Sequence, residues 1–495
     1  MSCVEGVESG ENNPFQLSVY LETFGCQMNE NDSARMMGIL KGMNYRRTQD
    51  PGQAGLIIIN TCSIRDKAEH KVYSLLGRFK ELKKTNPRLV IGVAGCVAQQ
   101  AGVRLFKRAP FIDLVIGPHN IHKLKDLLSE VSQGGHRVIA AAFNGRIADD
   151  EYAYNGGAEG PKAFVSIMRG CDNFCSYCIV PYTRGREVSR FSADILAEIE
   201  KLSLAGVREI TLVGQNVNSY GAKGDASFPE LIRMCAGIDG IERLRFMTSH
   251  PKDISDELIG LFAAETKLCK HVHLPAQSGS DSVLKAMKRN YTGAQYLLKV
   301  ERLRAVCPAI AVTTDIIVGF PGETAADFEE TLEFINGVRF DNIFSFMYSP
   351  RPGTEAAGMA GHINASVKSE RLKLLQDRQR QITTEKNAAL AGTTVIVLVE
   401  GRSKTREGEL TGRTQCNRVV NFPSTGLIPD TVKEGTFADV LITDGYANSL
   451  RGRVISSDER VEAAQDGRTK GIMPPKGVIP RARRVDRIKE SVDAY

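Results

Sequence analysis

Cys171, Cys175 and Cys178 fall within eight residues, spaced C-x3-C-x2-C. They follow an apolar strand pattern, Ala163 to Met168, on a loop bounded by Gly170 and Pro181. Three thiols this close suit a disulfide or a metal. Met1 to Asn13 is polar and acidic and lacks the apolar core of a secretory signal, so a cytosolic protein with reduced cysteines is expected. Structural zinc takes four closed ligands, yet no histidine lies between His136 and His250 to complete such a set. An iron–sulfur cluster normally takes four cysteines; held by three, it leaves one iron open to a small molecule. A zinc-binding loop is the competing reading of the spacing.

A second set of cysteines lies in residues 16 to 131, which read as four repeats of strand then helix. The apolar runs are Leu17 to Leu21, Leu56 to Ile59, Leu89 to Val93 and Ile112 to Ile116. In the second helix Ile64, Ala68, Val72, Leu75, Leu76 and Phe79 recur at three and four residues and mark one buried face. Alternating βα units imply a parallel sheet covered on both sides. Cys26, Cys62 and Cys96 follow the first, second and third strands, at the carboxyl end where open α/β sheets bind ligands. Ser63 with Asp66 reads as a capping box that puts Cys62 at a positive helix terminus. The bland alternative is three small residues buried beside strands.

The other elements must position these groups. A chain of 495 residues suggests about three domains. Its 42% hydrophobic and 25% charged content is that of a globular protein, and no run of about 18 apolar residues could span a membrane. A net charge of +6 fits an RNA partner without demanding one. With no tryptophan, base stacking would fall to Tyr, Phe or Arg. The expected organisation is an α/β domain over 14–131, a linker over 132–160, a core over 161–390, a small barrel over 391–458 and a basic, disordered tail over 459–495. Glycine pairs punctuate the linker, in which Val138 to Phe143 could add a strand.

The core parses as six βα units with strands at Phe164 to Met168, Glu209 to Val213, Arg243 to Met247, Val272 to Leu274, Ile310 to Val318 and Ile343 to Met347. These fit an incomplete α/β barrel whose function sits on the loops after the strands. Gly214 to Gly221, Thr248 to Pro251, Pro275 to Gly279 and Gly319 to Glu323 lie at the other strand ends, able to grip a ligand or simply to turn. His250, His271 and His273 are read as structural. Beyond a charged helix, Ala365 to Leu390, short β-rich runs suggest a small antiparallel barrel of the OB type. Their spans are Val395 to Val399, Arg418 to Asn421, Ala438 to Ile442 and Ser449 to Val454. Arg402, Lys404, Arg406, Arg413, Arg418, Arg451 and Arg453 are available there to phosphates or to solvent.

The C-x3-C-x2-C spacing with Tyr177 before its last cysteine resembles radical S-adenosylmethionine enzymes, and the whole plan over about residues 14 to 458 resembles the methylthiotransferases. That likeness implies an amino-terminal three-cysteine domain, a radical S-adenosylmethionine barrel and a carboxyl-terminal TRAM domain. It implies two [4Fe-4S] clusters, one on Cys171, Cys175 and Cys178 that splits S-adenosylmethionine to a radical, and one on Cys26, Cys62 and Cys96 that donates sulfur. A second S-adenosylmethionine would supply the methyl group. It further implies that Tyr177 and Gly319 lie near the cofactor's adenine and that Gly214, Gln215 and Asn216 meet its amino group.

Thr23 to Ser33, Asn60 to Arg65 and Gly214 to Gly221 are similar to the branch acting on tRNA at carbon 2 of N(6)-dimethylallyladenosine, beside the anticodon. Gln27-Met28 after the first cysteine separates the chain from the branches acting on a ribosomal protein side chain or on threonylcarbamoyladenosine. Implied partners are tRNA, an electron donor such as flavodoxin or ferredoxin, and a sulfur source. Arg184, Arg186 and Arg190 could guide phosphates or the cofactor, or form ion pairs. Cys3, Cys235, Cys269, Cys307 and Cys416 have no partner spacing. A non-catalytic, metal-stabilised RNA-binding protein is the alternative of another class.

Overall fold

Alternate side chains of one strand, Leu56–Thr61, feed two different cores, because successive residues of a strand point to opposite faces. Leu56 and Ile58 pack with Met36, Leu40 and Leu128; Ile57 and Ile59 pack with Val72, Leu76 and Phe79. A strand buried on both faces is the mark of a parallel sheet sheathed by helices. In the computed structural model, which describes residues 18–62, 66–134, 137–143, 160–221, 225–404, 406–424 and 432–455, this strand is the third of six. They are β1 (Ser18–Phe24), β2 (Arg46–Arg47), β3 (Leu56–Thr61), β4 (Val90–Gly95), β5 (Leu114–Ile116) and β6 (Val138–Ala140). All pair in parallel, in the order β2-β1-β3-β4-β5-β6.

Two differences from the sequence reading appear here. β2, two exposed arginines, carries no apolar signal and exists only through its pairing with β1. β6 is the strand that Val138 to Phe143 could add, but it is shorter, ending at Ala140, and joins the sheet by pairing with β5. Ser63 of the expected capping box, the rest of the linker from 144 to 159 and the tail from 459 lie outside the described residues.

The core is built of β7 (Lys162–Ser166), the short hairpin β8 (Met168–Arg169) with β9 (Val188–Ser189), then β10 (Glu209–Val213), β11 (Arg243–Phe246), β12 (His271–His273), β13 (Ala311–Val318) and β14 (Asn342–Met347). Two parallel half-sheets, β7-β10-β11 and β12-β13-β14, meet through a bridge between Leu244 and Leu268. β7 and β14 do not pair, so the barrel is open along one side. Its outer layer of helices closes over a single large core that includes Phe228, Phe246, Phe262, Phe334 and Phe340.

The last unit is a closed barrel of β15 (Thr394–Arg402), β16 (Glu409–Thr414), β17 (Val419–Pro423), β18 (Phe437–Gly445) and β19 (Leu450–Val454), in the order β15-β16-β17-β19-β18. Closure comes from one parallel pair, β17 with β19, in an otherwise antiparallel barrel. β16 was not expected: Glu409 to Thr414 has no apolar alternation, and its partners on both sides define it. Two buried guanidiniums clamp this barrel to the core. Arg243 donates to the carbonyls of Arg413 (2.7 Å) and Ile396 (2.9 Å), and Arg245 to those of Gln415 (2.8 Å) and Thr414 (2.7 Å). Among the described residues no helix is long and apolar enough to cross a membrane.

Candidate functional site

The register β1–β3–β4 aligns Phe24, Thr61 and Gly95, so Cys62 and Cys96 leave adjacent strands at the same level and Cys26 follows one glycine later. The strand order reverses between β1 and β3, where open α/β sheets form their binding crevice. Gly25, at φ 141°, has to be glycine: a Cβ there would sit 2.5 Å from that of Cys62. A buried polar network supports the trio. Asn60 donates to the Asn29 carbonyl (2.8 Å) and to Ser33 Oγ (2.9 Å), and accepts from Asn29 Nδ2 (3.1 Å). Cys26 Sγ in turn donates to Asn29 Oδ1 at 3.4 Å.

The three thiols share their protons. Contact with Cys62 pulls the Cys26 and Cys96 thiols down, and the same contacts push Cys62 well up. Arg184 adds to the lowering at both outer thiols; its Nε lies 3.3 Å from Cys96 Sγ and its Nη2 2.8 Å from Asp32 Oδ2.

The second trio sits on a loop closed at its base by β8 and β9, which pair Met168 with Ser189 and Arg169 with Val188. Cys171 N donates to the Gly185 carbonyl at 3.2 Å, and Ser176 pins the loop to the core through Met287 O (3.1 Å) and Ala286 O (2.8 Å). Burial pushes up the thiols of Cys171 and Cys178, the latter to about 12, so holding thiolate there requires a cation. Arg289 supplies one beside Cys175: its Nη1 lies 3.4 Å from Cys175 Sγ, while Nη2 donates to Pro275 O (2.7 Å) and Nε to Tyr291 Oη (3.1 Å). Nothing in the sequence marked Arg289, whose partner cysteine is 114 residues away. Tyr177 packs with Phe320, the neighbour of Gly319, and with Met287 and Tyr348.

The remaining expected site residues behave differently from one another. The Gly170 amide donates to Gln215 Oε1, joining the second strand end to the cysteine loop. Gly214 packs against Met168 and receives Thr248 Oγ1 at its carbonyl. Asn216 spends its amide on Asp253 at 2.7 Å. At Gly319 the close approach is made by the Lys368 side chain, 2.1 Å from where a Cβ would stand.

Five buried polar atoms at the ends of β10, β11 and β12 have no hydrogen-bond partner: Gln215 Nε2, Asn216 Oδ1, Ser249 Oγ, His250 Nε2 and Gln277 Oε1. Buried polar groups are normally satisfied, so these atoms suit a polar cofactor such as S-adenosylmethionine. Among the described residues no group of His, Cys, Asp and Glu is arranged to hold a single metal ion. The fit of each trio to a cluster of several irons therefore rests on donor chemistry: three thiols, no histidine, and a guanidinium at one sulfur.

A cavity of about 570 Å³ joins the units. Phe164, Thr211, Met247, His271 and Phe344 line it from the barrel interior, and Gln27, the residue after Cys26, lines it from the first domain. Thr313 Oγ1 lies 3.1 Å from His271 Nε2 and 3.0 Å from His273 Nδ1, and burial drives His271 far below its usual range, leaving it neutral.

The basic residues of the small barrel divide. Arg413 pairs with Glu400, Arg418 with Asp341 and Arg451 with Glu409, all partly buried; Arg402, Lys404, Arg406 and Arg453 are exposed, with Arg406 3.9 Å from Glu409. Arg190 pairs with Glu198 at 2.7 Å and Arg186 with Asp172 at 3.0 Å.

Comparison with known proteins covers the same three units. Residues 18–117 match the Uncharacterized protein family UPF0004, residues 165–335 the Radical SAM superfamily and residues 389–455 the TRAM domain. A tRNA-2-methylthio-N(6)-dimethylallyladenosine synthase of Geobacter metallireducens is 52% identical over 438 residues, 88% of this chain and 98% of the relative. One from Pasteurella multocida is 46% identical over 475 residues, 95% of this chain and 98% of the relative. Among solved structures, the radical S-adenosylmethionine methyltransferase TsrM from Kitasatospora setae shares the fold, with a TM-score of 0.52 at 16% identity over 69% of this chain and 74% of that one.

Proposed function

The chain belongs to the family of tRNA-2-methylthio-N(6)-dimethylallyladenosine synthases, and on that premise we propose that its two cysteine trios divide one reaction on one nucleotide between them. It is a radical S-adenosylmethionine enzyme, a tRNA methylthiotransferase, with S-adenosylmethionine and a [4Fe-4S] cluster as cofactors. The product is 2-methylthio-N(6)-dimethylallyladenosine, beside the anticodon. Relatives 52% and 46% identical favour this over the ribosomal-protein, threonylcarbamoyladenosine and non-catalytic readings.

The hydrogen on carbon 2 of an adenine is too weakly acidic for a side-chain base near neutral pH. When bound, the cluster and S-adenosylmethionine supply a carbon radical that can remove it, and a second [4Fe-4S] cluster supplies the methylated sulfur. Cys171, Cys175 and Cys178 would hold the first, three thiols where such a cluster commonly takes four, which would leave it able to bind the cofactor. The unpartnered atoms of Gln215, Asn216, Ser249, His250 and Gln277 orient S-adenosylmethionine, and Tyr177 with Phe320 keeps water from its adenine end. Cys26, Cys62 and Cys96 hold the second. An anticodon-loop adenosine costs less to splay out than a paired base, and the exposed Arg402, Lys404, Arg406 and Arg453 receive the flanking phosphates. A one-electron donor such as flavodoxin or ferredoxin, a sulfur source and a cytoplasmic setting complete the reading.

One observation carries it: the cavity lined by the barrel interior is also lined by Gln27, so a base placed there lies beside the residue that follows Cys26 of the first trio. The test is anaerobic reconstitution followed by iron and product analysis. Wild type should hold about eight irons per chain. Cys175→Ala should abolish S-adenosylmethionine cleavage, whereas Cys62→Ala should spare cleavage and stop sulfur insertion. Equal loss of both activities in both variants would refute the division of labour.

A further inference from the structure

Arg184 belongs to the barrel's cysteine loop, yet its guanidinium ends inside the first domain. It follows Cys178 by six positions, on the limb that returns to β9. Its amide donates to Val180 O at 2.7 Å, and the next residue, Gly185, accepts from Cys171 N at 3.2 Å, so its backbone moves with the radical-cluster loop. Its tip reaches Cys96 Sγ at 3.3 Å and Asp32 Oδ2 at 2.8 Å. Both members of the pair are shut away from water, Arg184 at 6% and Asp32 at 1% exposure. Asp32 is held on the helix Gln27–Gly42, which also supplies Asn29 and Ser33 to the network beneath the first trio. Close by, Arg169 of β8 meets His119 Nδ1 of the first domain at 2.8 Å.

We propose that Arg184 is a positioning residue that fixes the sulfur-donating trio relative to the radical-generating loop and gives the Cys96 sulfur a permanent cationic hydrogen-bond donor. This rests on the reading that Cys26, Cys62 and Cys96 hold a second cluster. Three thiolates and the Asp32 carboxylate crowd a buried pocket, and an anionic pocket in low dielectric needs resident cations: Arg35 stands 3.7 Å from the other oxygen of Asp32, and Arg184 is the one that also meets a sulfur. Guanidinium suits the task because one planar group presents two donors to two acceptors in fixed directions; a lysine ammonium is a compact point charge whose donors rotate and fix no such geometry. Hydrogen bonds to cluster sulfurs are among the terms that set a cluster's potential. The contact therefore does two things at once: it sets the gap the substrate base must bridge, and it makes the first-domain cluster easier to reduce.

The test uses the full-length chain, reconstituted without oxygen, in two backgrounds. With Cys175→Ala the first-domain cluster is observed alone. Adding Arg184→Met should shift its midpoint potential about 60 mV more negative, the one-electron equivalent of a tenfold change for one lost charge-assisted bond. In the otherwise wild-type enzyme, Arg184→Met should lower methylthiolated tRNA formed per 5′-deoxyadenosine by about tenfold. Arg184→Lys should keep first-domain iron and recover most of the potential but not the ratio, because charge is restored without the two-acceptor geometry. Loss of first-domain iron in Arg184→Met with retention in Arg184→Lys is the same result in stronger form. A Cys175→Ala parent without iron would overturn the two-cluster reading and this inference together. Iron in that parent, with wild-type potential and ratio in both Arg184 variants, would overturn this inference alone.

Discussion

Asn60→Ala tests whether the first cysteine trio is held by the polar network beneath it. Asn60 is fully buried and makes three hydrogen bonds, to Asn29 O, Ser33 Oγ and from Asn29 Nδ2. Alanine leaves the Asn29 amide donor without its acceptor and opens a void the size of an amide group. At about 1–3 kcal/mol for each buried group left unsatisfied, plus the void, the loss should be roughly 2–5 kcal/mol. Ser33→Ala removes one of the two acceptors of Asn60 Nδ2 and the partner of Thr23 Oγ1, at 2.7 Å, but leaves both Asn29 contacts of Asn60 in place and should cost about 1–2 kcal/mol.

The consequence for the site runs through Asn29, whose Oδ1 accepts from Cys26 Sγ. Once Asn29 is free to turn, Cys26 loses its fixed direction. Urea unfolding followed by far-ultraviolet circular dichroism should show the graded losses. Iron analysis after reconstitution should fall from about eight to about four per chain in Asn60→Ala. An Asn60→Ala protein with full iron content and less than about 1 kcal/mol of destabilisation would refute the reasoning, as would a larger loss in Ser33→Ala.

Two further outcomes follow from the buried charges. Arg245→Met strips partners from the Gln415 and Thr414 carbonyls and from Glu209, whose carboxylate lies 2.9 Å from Arg245 Nε. Breaking a buried pair on one side costs about 3–5 kcal/mol, so limited proteolysis should release the small barrel, and tRNA affinity should drop with it. His119 is held neutral, its pKa lowered to about 3 chiefly by burial. Because this lies below the unfolded value near 6.5, the unfolded chain binds the extra proton; stability is full above about pH 6.5 and falls as the pH drops. The expected contribution is about 1.4 kcal/mol per pH unit, which His119→Gln should remove from the pH dependence of the urea midpoint; an unchanged slope would contradict it.

Much of the candidate site was legible because its signals are local. The Cys171–Cys178 spacing is a property of eight consecutive residues, and Cys26, Cys62 and Cys96 announce themselves by following apolar runs whose parallel pairing is implied by the helices between them. The six strands of the open barrel were legible for the same reason. β16 was not, since Glu409 to Thr414 is polar and becomes a strand only by pairing with β15 and β17. The basic residues of the small barrel looked alike in sequence, and the fold sorted them: Arg413, Arg418 and Arg451 became partly buried ion pairs while Arg402, Lys404, Arg406 and Arg453 stayed exposed.

By itself the sequence determined which groups are present, two trios of thiols on the ends of βα units, because strand and helix periods and loop spacings are written in neighbouring residues. The tertiary structure alone decided which cations serve them. Arg184 meets a cysteine 88 positions away and a carboxylate 152 away, and Arg289 a cysteine 114 away. A guanidinium side chain reaches any acceptor the fold brings near, and no local pattern records which one that will be.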